Sequence, residues 1–365
     1  MRSSLFIALF VASFIGCKTS APPAIRYETF TKPAENPILQ ADSTFTFSSP
    51  VTGQRVRWQR ADVFNPAAIV KGGKVMLLYR CEDNPRAHLG GRTSRIGLAE
   101  SRDGIHFKKY PTPVLYPDKD DFAQYDSPGG CEDPRVVVTQ DGTYVMAYTA
   151  WNYKTPRLSI AFSRDLKKWT KKGPAFYTAY DGKFRDVASK SGSIITKRVG
   201  NRYVAAKLNG KYWMYWGENG VNLASSDNLY DWYPELDAAG KLRYLITPRP
   251  GKFDSSLTEC GPPALLTNEG VVLLYNGKNS DRADDSSKDL PQGTYSVGRV
   301  AFDPVDLRTV VARSETPFLQ PTLRHELTGQ YKAGTTFAEG LVYFKGRWFL
   351  YYGTADSFVG LAVTE

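Results

Sequence analysis

Three carboxylates in this 365-residue chain sit in settings that could turn them into acid–base groups. Asp133 lies in Gly130-Cys131-Glu132-Asp133-Pro134-Arg135, Glu218 ends Trp213-Met214-Tyr215-Trp216-Gly217-Glu218, and Glu259 opens Glu259-Cys260-Gly261-Pro262. Cleaving a glycosidic bond by the usual route takes two carboxyl groups, one to protonate the leaving oxygen and one to manage the attacking group. Carboxylates crowded into one cleft repel, so at least one should hold its proton toward neutral pH. Neighbouring strand side chains face opposite ways. Of Glu132 and Asp133, one is therefore expected to serve a pocket and the other to hold the loop, with Pro134 fixing the backbone ahead of Val136-Val137-Val138.

Polar groups and aromatic faces that could hold a sugar ring accompany them. Asn65, Arg80, Glu82, Asp83, Arg95, Arg135, Arg157, Lys207 and Asp356 offer hydrogen bonds, and Trp151, Tyr153, Trp213 and Trp216 offer rings. The only histidines, His88, His106 and His325, have no metal-like partner close in sequence. A histidine metal site and a Ser-His-Asp triad are thus disfavoured, carboxylate-held calcium stays open, and no cofactor is expected. Cys81, Cys131 and Cys260 form no disulfide framework or zinc spacing and read as buried thiols. The formal charge of +10 is spread among acids without a basic run, a poor basis for nucleic-acid binding.

The elements that must position these groups are strands. Tyr, Trp, Phe, Val and Thr are abundant, Gly and Pro recur about every ten residues, and no long helical pattern appears. Ile96-Gly-Leu-Ala-Glu-Ser-Arg-Asp103, Leu158-Ser-Ile-Ala-Phe-Ser-Arg-Asp165 and Val221-Asn-Leu-Ala-Ser-Ser-Asp227 are copies of one unit, their aspartates spaced by 62 residues. Each reads as a strand followed by an aspartate turn. Tyr295 to Phe302 and Val359 to Thr364 are looser copies. Between them recurs a hairpin opened by a polar turn, at Asn65, Glu132-Asp133, Ser189 to Ser193, Glu259 and Glu339. Five such units imply an all-β, five-bladed β-propeller with the active site at the mouth of the central channel, where inner strands begin.

Residues 1–17 read as a lipoprotein-type signal: Arg2, an apolar run from Leu5 to Ile15, and Gly16-Cys17, with Cys17 the lipidation site. Residues 18–50 read as a tether and N-terminal extension, and 51–365 as the catalytic domain. The expectation is an exported bacterial lipoprotein, periplasmic or outer-membrane-anchored, that meets the membrane through its lipid.

Phe64-Asn-Pro-Ala67, Leu78-Tyr-Arg80, Ser94-Arg-Ile-Gly-Leu-Ala-Glu-Ser101, Gly130 to Arg135, Glu259-Cys-Gly-Pro-Pro263 and Tyr351-Tyr-Gly-Thr-Ala-Asp356 together resemble glycoside hydrolase family 130. The resemblance implies a five-bladed propeller and inverting phosphorolysis or hydrolysis of β-mannosides. It implies Asp133 as proton donor, directly or through a sugar hydroxyl, with Asn65, Arg80, Arg95 and Asp356 around the mannosyl ring. The family's phosphorylases resemble one another in a basic His-Arg-Pro stretch after Gly-Lys-Tyr. Here Gly210-Lys211-Tyr212 runs on to Glu218 instead. A carboxylate there would repel phosphate and suit activation of water. Glu218 and Glu259 resemble the pair of the β-1,2-mannosidase branch. The expected activity is inverting hydrolysis of β-mannosides, most simply β-1,2-linked. The alternatives are a phosphorylase using Arg157, Lys207 or Arg198 for phosphate, and a lipid-anchored glycan-binding protein without catalysis.

Overall fold

A computed structural model of the chain describes residues 25–88, 90–200 and 202–365. Residues 1–17, with Cys17, lie outside the described residues. The described residues are almost entirely strand and turn, with helix confined to single turns such as Ala123–Asp126.

Among the described residues the main antiparallel pairings fall into five groups. The first runs through Asp62–Lys71, Lys74–Glu82, Ser94–Ser101 and Lys108–Lys109. The second comprises Gly130–Val138, Tyr144–Trp151, Arg157–Ser163 and Thr170–Pro174. The third comprises Gly192–Ile194, Lys211–Trp216, Val221–Ser226 and Tyr233–Pro234. In the fourth, Leu257–Cys260 and Leu265–Thr267 share one edge of Gly270–Lys278, followed by Tyr295–Phe302 and Val310–Arg313. The fifth comprises Phe337–Phe344, Arg347–Thr354 and Phe358–Thr364, and Phe30–Thr31 completes it. Part of the segment expected to be a tether thus belongs to the last sheet, because Phe30 pairs with Thr364 and Leu39 bridges Val359.

The recurrent glycine of the third strands has a packing cause. Tyr79 lies opposite Gly97 and Tyr352 opposite Gly360, and each ring crosses its glycine so closely that a Cβ would sit 2.4 and 2.5 Å from it. The aspartate turns form as read at Asp103 and Asp165, whose Oδ1 atoms accept two main-chain N–H groups each. In the third copy Asn228 takes that role instead of Asp227, accepting from Tyr230 and Asp231. The serines before the turns, Ser101, Ser163 and Ser226, keep the repeat in register by accepting N–H bonds in the same way.

The core is divided as the groups are. Leu78, Ile96 and Met146 belong to a cluster shared by the first two groups. Ile160, Met214 and Trp232 belong to one shared by the second and third. Leu223 and Leu273 join the third to the fourth, and Leu274 and Leu350 the fourth to the fifth. A last cluster, with Leu77, Phe349 and Leu361, joins the fifth back to the first. Each group thus shares a core cluster with the next, and the fifth with the first.

Candidate active site

Where the first strands of the groups begin, the ladder breaks on purpose. The pairing shifts between Phe64 and Pro66, between Glu132 and Arg135, and between Ala338 and Gly340. A β-bulge of this kind leaves a residue out of the ladder and re-aims its side chain. Asn65 and Asp133 occupy the first two with φ of 47° and 48°, and Ser191 stands at the head of the third group's first strand with φ of 58°. Left-handed backbone is costly for residues with a Cβ and clusters where side-chain aim matters.

The bulge overturns the alternation argument. Glu132 and Asp133 both line one chamber, with Asn65, Arg80 and Asp356. Asp356 gets there from a turn, Ala355-Asp356, in which both residues are left-handed. Lys190, Glu218 and Glu259 line the same chamber, and Trp151, Tyr295, Tyr331 and Phe337 supply apolar wall. Its volume is about 360 Å³, inside the range of about 300–1,000 Å³ common for small-ligand sites.

Arg80 organises one side. Its guanidinium reaches Glu82 and Glu132 at 2.8 Å and Asp133 at 3.2 Å. The Asn65 amide donates to Asp133 Oδ1 at 2.9 Å, and the Ser94 hydroxyl to Glu132 Oε1 at 3.1 Å. Burial would raise the Asp133 carboxyl, but Arg80, Lys190, Arg135 and the Asn65 amide outweigh it and hold it below the usual range. Burial carries Glu132 up to about 7, opposed by Arg80 and helped by Asp133. The adjacent pair therefore keeps one proton toward neutrality, shared between the two carboxyls. Asp356 is raised to about 6, again by burial.

The other side holds the two glutamates shoulder to shoulder. Thr258 N–H donates to the Glu218 carbonyl and Cys260 N–H to that of Gly217, both at 3.1 Å. The turn after Trp216 requires glycine, since Gly217 has φ of 120° and a Cβ there would stand 2.3 Å from the Gly220 carbonyl. Ser191 Oγ donates to Glu259 Oε1. Lys190 Nζ lies 3.7 Å from Glu218 Oε2. Burial lifts Glu259 to about 7, with Lys190 opposing and Glu218 adding to the lift. Lys190 stays charged: burial acts to lower it, but Glu259, Glu218, Asp133 and Glu132 hold it up.

The remaining expected ligands lie elsewhere. Asp83 and Arg95 pair with each other at 2.8 Å on the sheet face opposite Arg80. Arg157 is spent on Asp186 and the Arg185 carbonyl and packs over Tyr125. Lys207 is exposed, at the end of its hairpin remote from Glu218, over the Tyr212 ring. Arg135 is sealed beneath the chamber, its side chain 1% exposed. Trp213 and Trp216 serve the core, the latter packed against Phe176, and Tyr153 ties its hydroxyl to the Gly91 carbonyl. Lys190 and the Tyr295, Tyr331 and Phe337 wall were not singled out from sequence. Among the described residues no cluster of His, Cys, Asp and Glu could hold a metal ion.

Comparison with known proteins bears on this chamber. The family model for glycoside hydrolase family 130, described as beta-1,4-mannooligosaccharide phosphorylase, matches residues 30–365. The 1,2-beta-oligomannan phosphorylase of Thermoanaerobacter sp. (strain X514) is 31% identical over 312 residues, covering 84% of this chain and 91% of that protein. A glycosyl hydrolase structure from Bacteroides ovatus is 49% identical with a TM-score of 0.89, over 92% of this chain and 93% of that one. Another structure, described by the words "The GH130 family of mannoside phosphorylases contains glycoside hydrolases that target beta-1,2 mannosidic linkages in Candida mannan", is 50% identical. Its TM-score is 0.90, over 92% of this chain and 93% of that one.

Proposed function

The chain belongs to glycoside hydrolase family 130, and from that premise we propose that it hydrolyses β-mannosides, most simply β-1,2-linked ones, by single displacement with inversion on a five-bladed β-propeller. The five sheet groups and the core cluster joining the fifth to the first support the architecture. The reading of hydrolysis rests on one observation: Lys190 already faces Glu218 and Glu259. Among the described lining residues Glu132, Asp133, Glu218, Glu259 and Asp356 stand against two cations, Arg80 and Lys190. A phosphate dianion entering there meets net negative charge in a poorly solvated site. Water meets two acceptors.

In this reading Asp133 delivers the proton that the Glu132–Asp133 pair keeps, directly or through a sugar hydroxyl. Glu218 orients the attacking water. Glu259, held at about 7 by burial, takes its proton, a value matched to work near neutral pH. The 50% identity to a structure described with hydrolases supports the same branch, whereas the curated phosphorylase stands at 31%. Export through a lipid anchor at Cys17 is part of the proposal, supported by the Gly16-Cys17 signal end. A Cys17→Ser protein that still takes up labelled fatty acid would rule out Cys17 as the anchor site.

The test is a product assay on β-1,2-mannobiose with and without inorganic phosphate. Free mannose at equal rates in both supports hydrolysis. Phosphate-dependent mannose 1-phosphate would make the chain a phosphorylase. Binding without turnover would leave a glycan-binding protein.

A further inference from the structure

Beneath the chamber one guanidinium spans three of the converging strands. Arg135 Nη1 donates to the carbonyl of Asp133 at 2.9 Å, and Nη2 to the carbonyl of Cys260 at 2.8 Å. Nε reaches the Gly261 carbonyl at 3.3 Å, and Nη1 lies 3.0 Å from Glu339 Oε1. Both Arg135 and Glu339 are closed to solvent, and neither lines the chamber. The carbonyls are not arbitrary ones. One belongs to Asp133 itself, whose left-handed backbone is costly to maintain. Another belongs to the residue directly after Glu259.

We infer that Arg135 is a positioning residue that sets the separation of Asp133 from Glu259 through their main chains, an inference that rests on reading those two as acid and base. Its planar fork presents donors in fixed, spread directions to three carbonyls at once, which a compact ammonium on a flexible stem does not reproduce. The neighbouring strands leave little slack for the tie to be replaced. A Cβ on Gly261 would meet the Leu274 carbonyl at 2.7 Å and the Ala338 carbonyl at 3.1 Å, and the Asn276 amide clamps Ala338 on both sides. Glu339 has a lesser part. Neither of its oxygens accepts a well-formed hydrogen bond, and burial pushes its carboxyl up, with Arg135 opposing. Gln keeps its shape and removes its charge.

The experiment compares wild type, Arg135→Lys and Glu339→Gln on the mannoside that wild type turns over, with mannose and mannose 1-phosphate resolved. A wrong functional reading then shows in the wild-type products, whereas a wrong positioning role shows only in the variants. Arg135→Lys is expected to lose about 100-fold in kcat, the cost of a misplacement near 1 Å, with KM within about threefold. Its acid limb should stay where wild type has it, because the charge is retained. Glu339→Gln is expected to keep kcat within about threefold, since all three carbonyl bonds remain. A folded Arg135→Lys protein with wild-type kcat would overturn the inference, as would a KM rise matching the loss in kcat. If Arg135→Lys does not fold, Glu339→Gln decides. Near wild-type kcat supports the carbonyl tie, and a 100-fold loss sinks it in favour of the ion pair.

Discussion

The same strands build two unlike ends of the molecule. Asp62–Lys71 carries Asn65 in its first half and Ala68-Ile69-Val70 in its second; Gly130–Val138 carries Glu132-Asp133 and then Val136-Val137-Val138. Phe337–Phe344 likewise passes from Glu339 to Leu341-Val342-Tyr343. The first halves are bulged, charged and converge on the chamber. The second halves keep unbroken pairing and line an apolar hollow with Leu265 and Tyr203. One end carries buried charge at the expense of stability, and the other recovers stability through apolar burial. Activity and folding are thereby assigned to opposite ends of single strands.

That division can be attacked from either end. The largest effect belongs to Asp133→Asn, which should lower turnover by about 10⁴-fold, the upper range for loss of general-acid catalysis. Circular dichroism and the melting temperature should stay near wild type, because Arg80 keeps Glu82 and Glu132. A variant that unfolds instead would erase the contrast.

Glu259→Gln should cost about 10³-fold in kcat by the same logic, and it carries a pH signature. The Glu259 carboxyl titrates at about 7 in the folded chain against 4.5 for the ordinary group. The native state thus binds the extra proton. Its stabilising contribution is complete below pH 4.5 and is lost as pH rises through about 7, on the order of 3 kcal/mol in all. Melting curves of wild type should fall across that window, and those of Glu259→Gln should fall less. Equal slopes would mean that Glu259 does not hold the proton.

At the other end, Leu265→Ala should remove about 2–4 kcal/mol of stability by denaturant titration and leave kcat within about twofold. The smallest effect is expected from Lys207→Ala, less than about 0.5 kcal/mol with unchanged kinetics. A kinetic loss there would return Lys207 to the site.

Much of the chamber was legible because its residues stand at the heads of first strands. Asn65 and Asp133, in the first half of a strand, and Glu259, in a short one, each lie ahead of an apolar run, and the repeat itself implies that such positions converge. Glu132 was misread because strict alternation holds only for an unbroken ladder, and a bulge leaves no mark in residue types alone. Lys190 had a usable signal. It precedes Ser191 as Glu132 precedes Asp133, and Ser191 and Asp133 share left-handed backbone, so aligning the repeats by strand heads would have found it. Arg95, Arg157 and Lys207 are not among the lining residues, for reasons that residue type does not carry. Arg95 pairs with Asp83 on the opposite sheet face, Arg157 pairs with Asp186, and Lys207 stands at the far end of its hairpin.

Asn65, Asp133 and Glu339 sit at residues that the pairing does not count. Replacing Asn65 or Asp133 changes what the chamber presents without shifting a downstream partner in its strand. For someone redesigning this scaffold those two positions are sockets. A different side chain at either position changes the chemistry offered to a ligand while the register that folds the strand stays as it is.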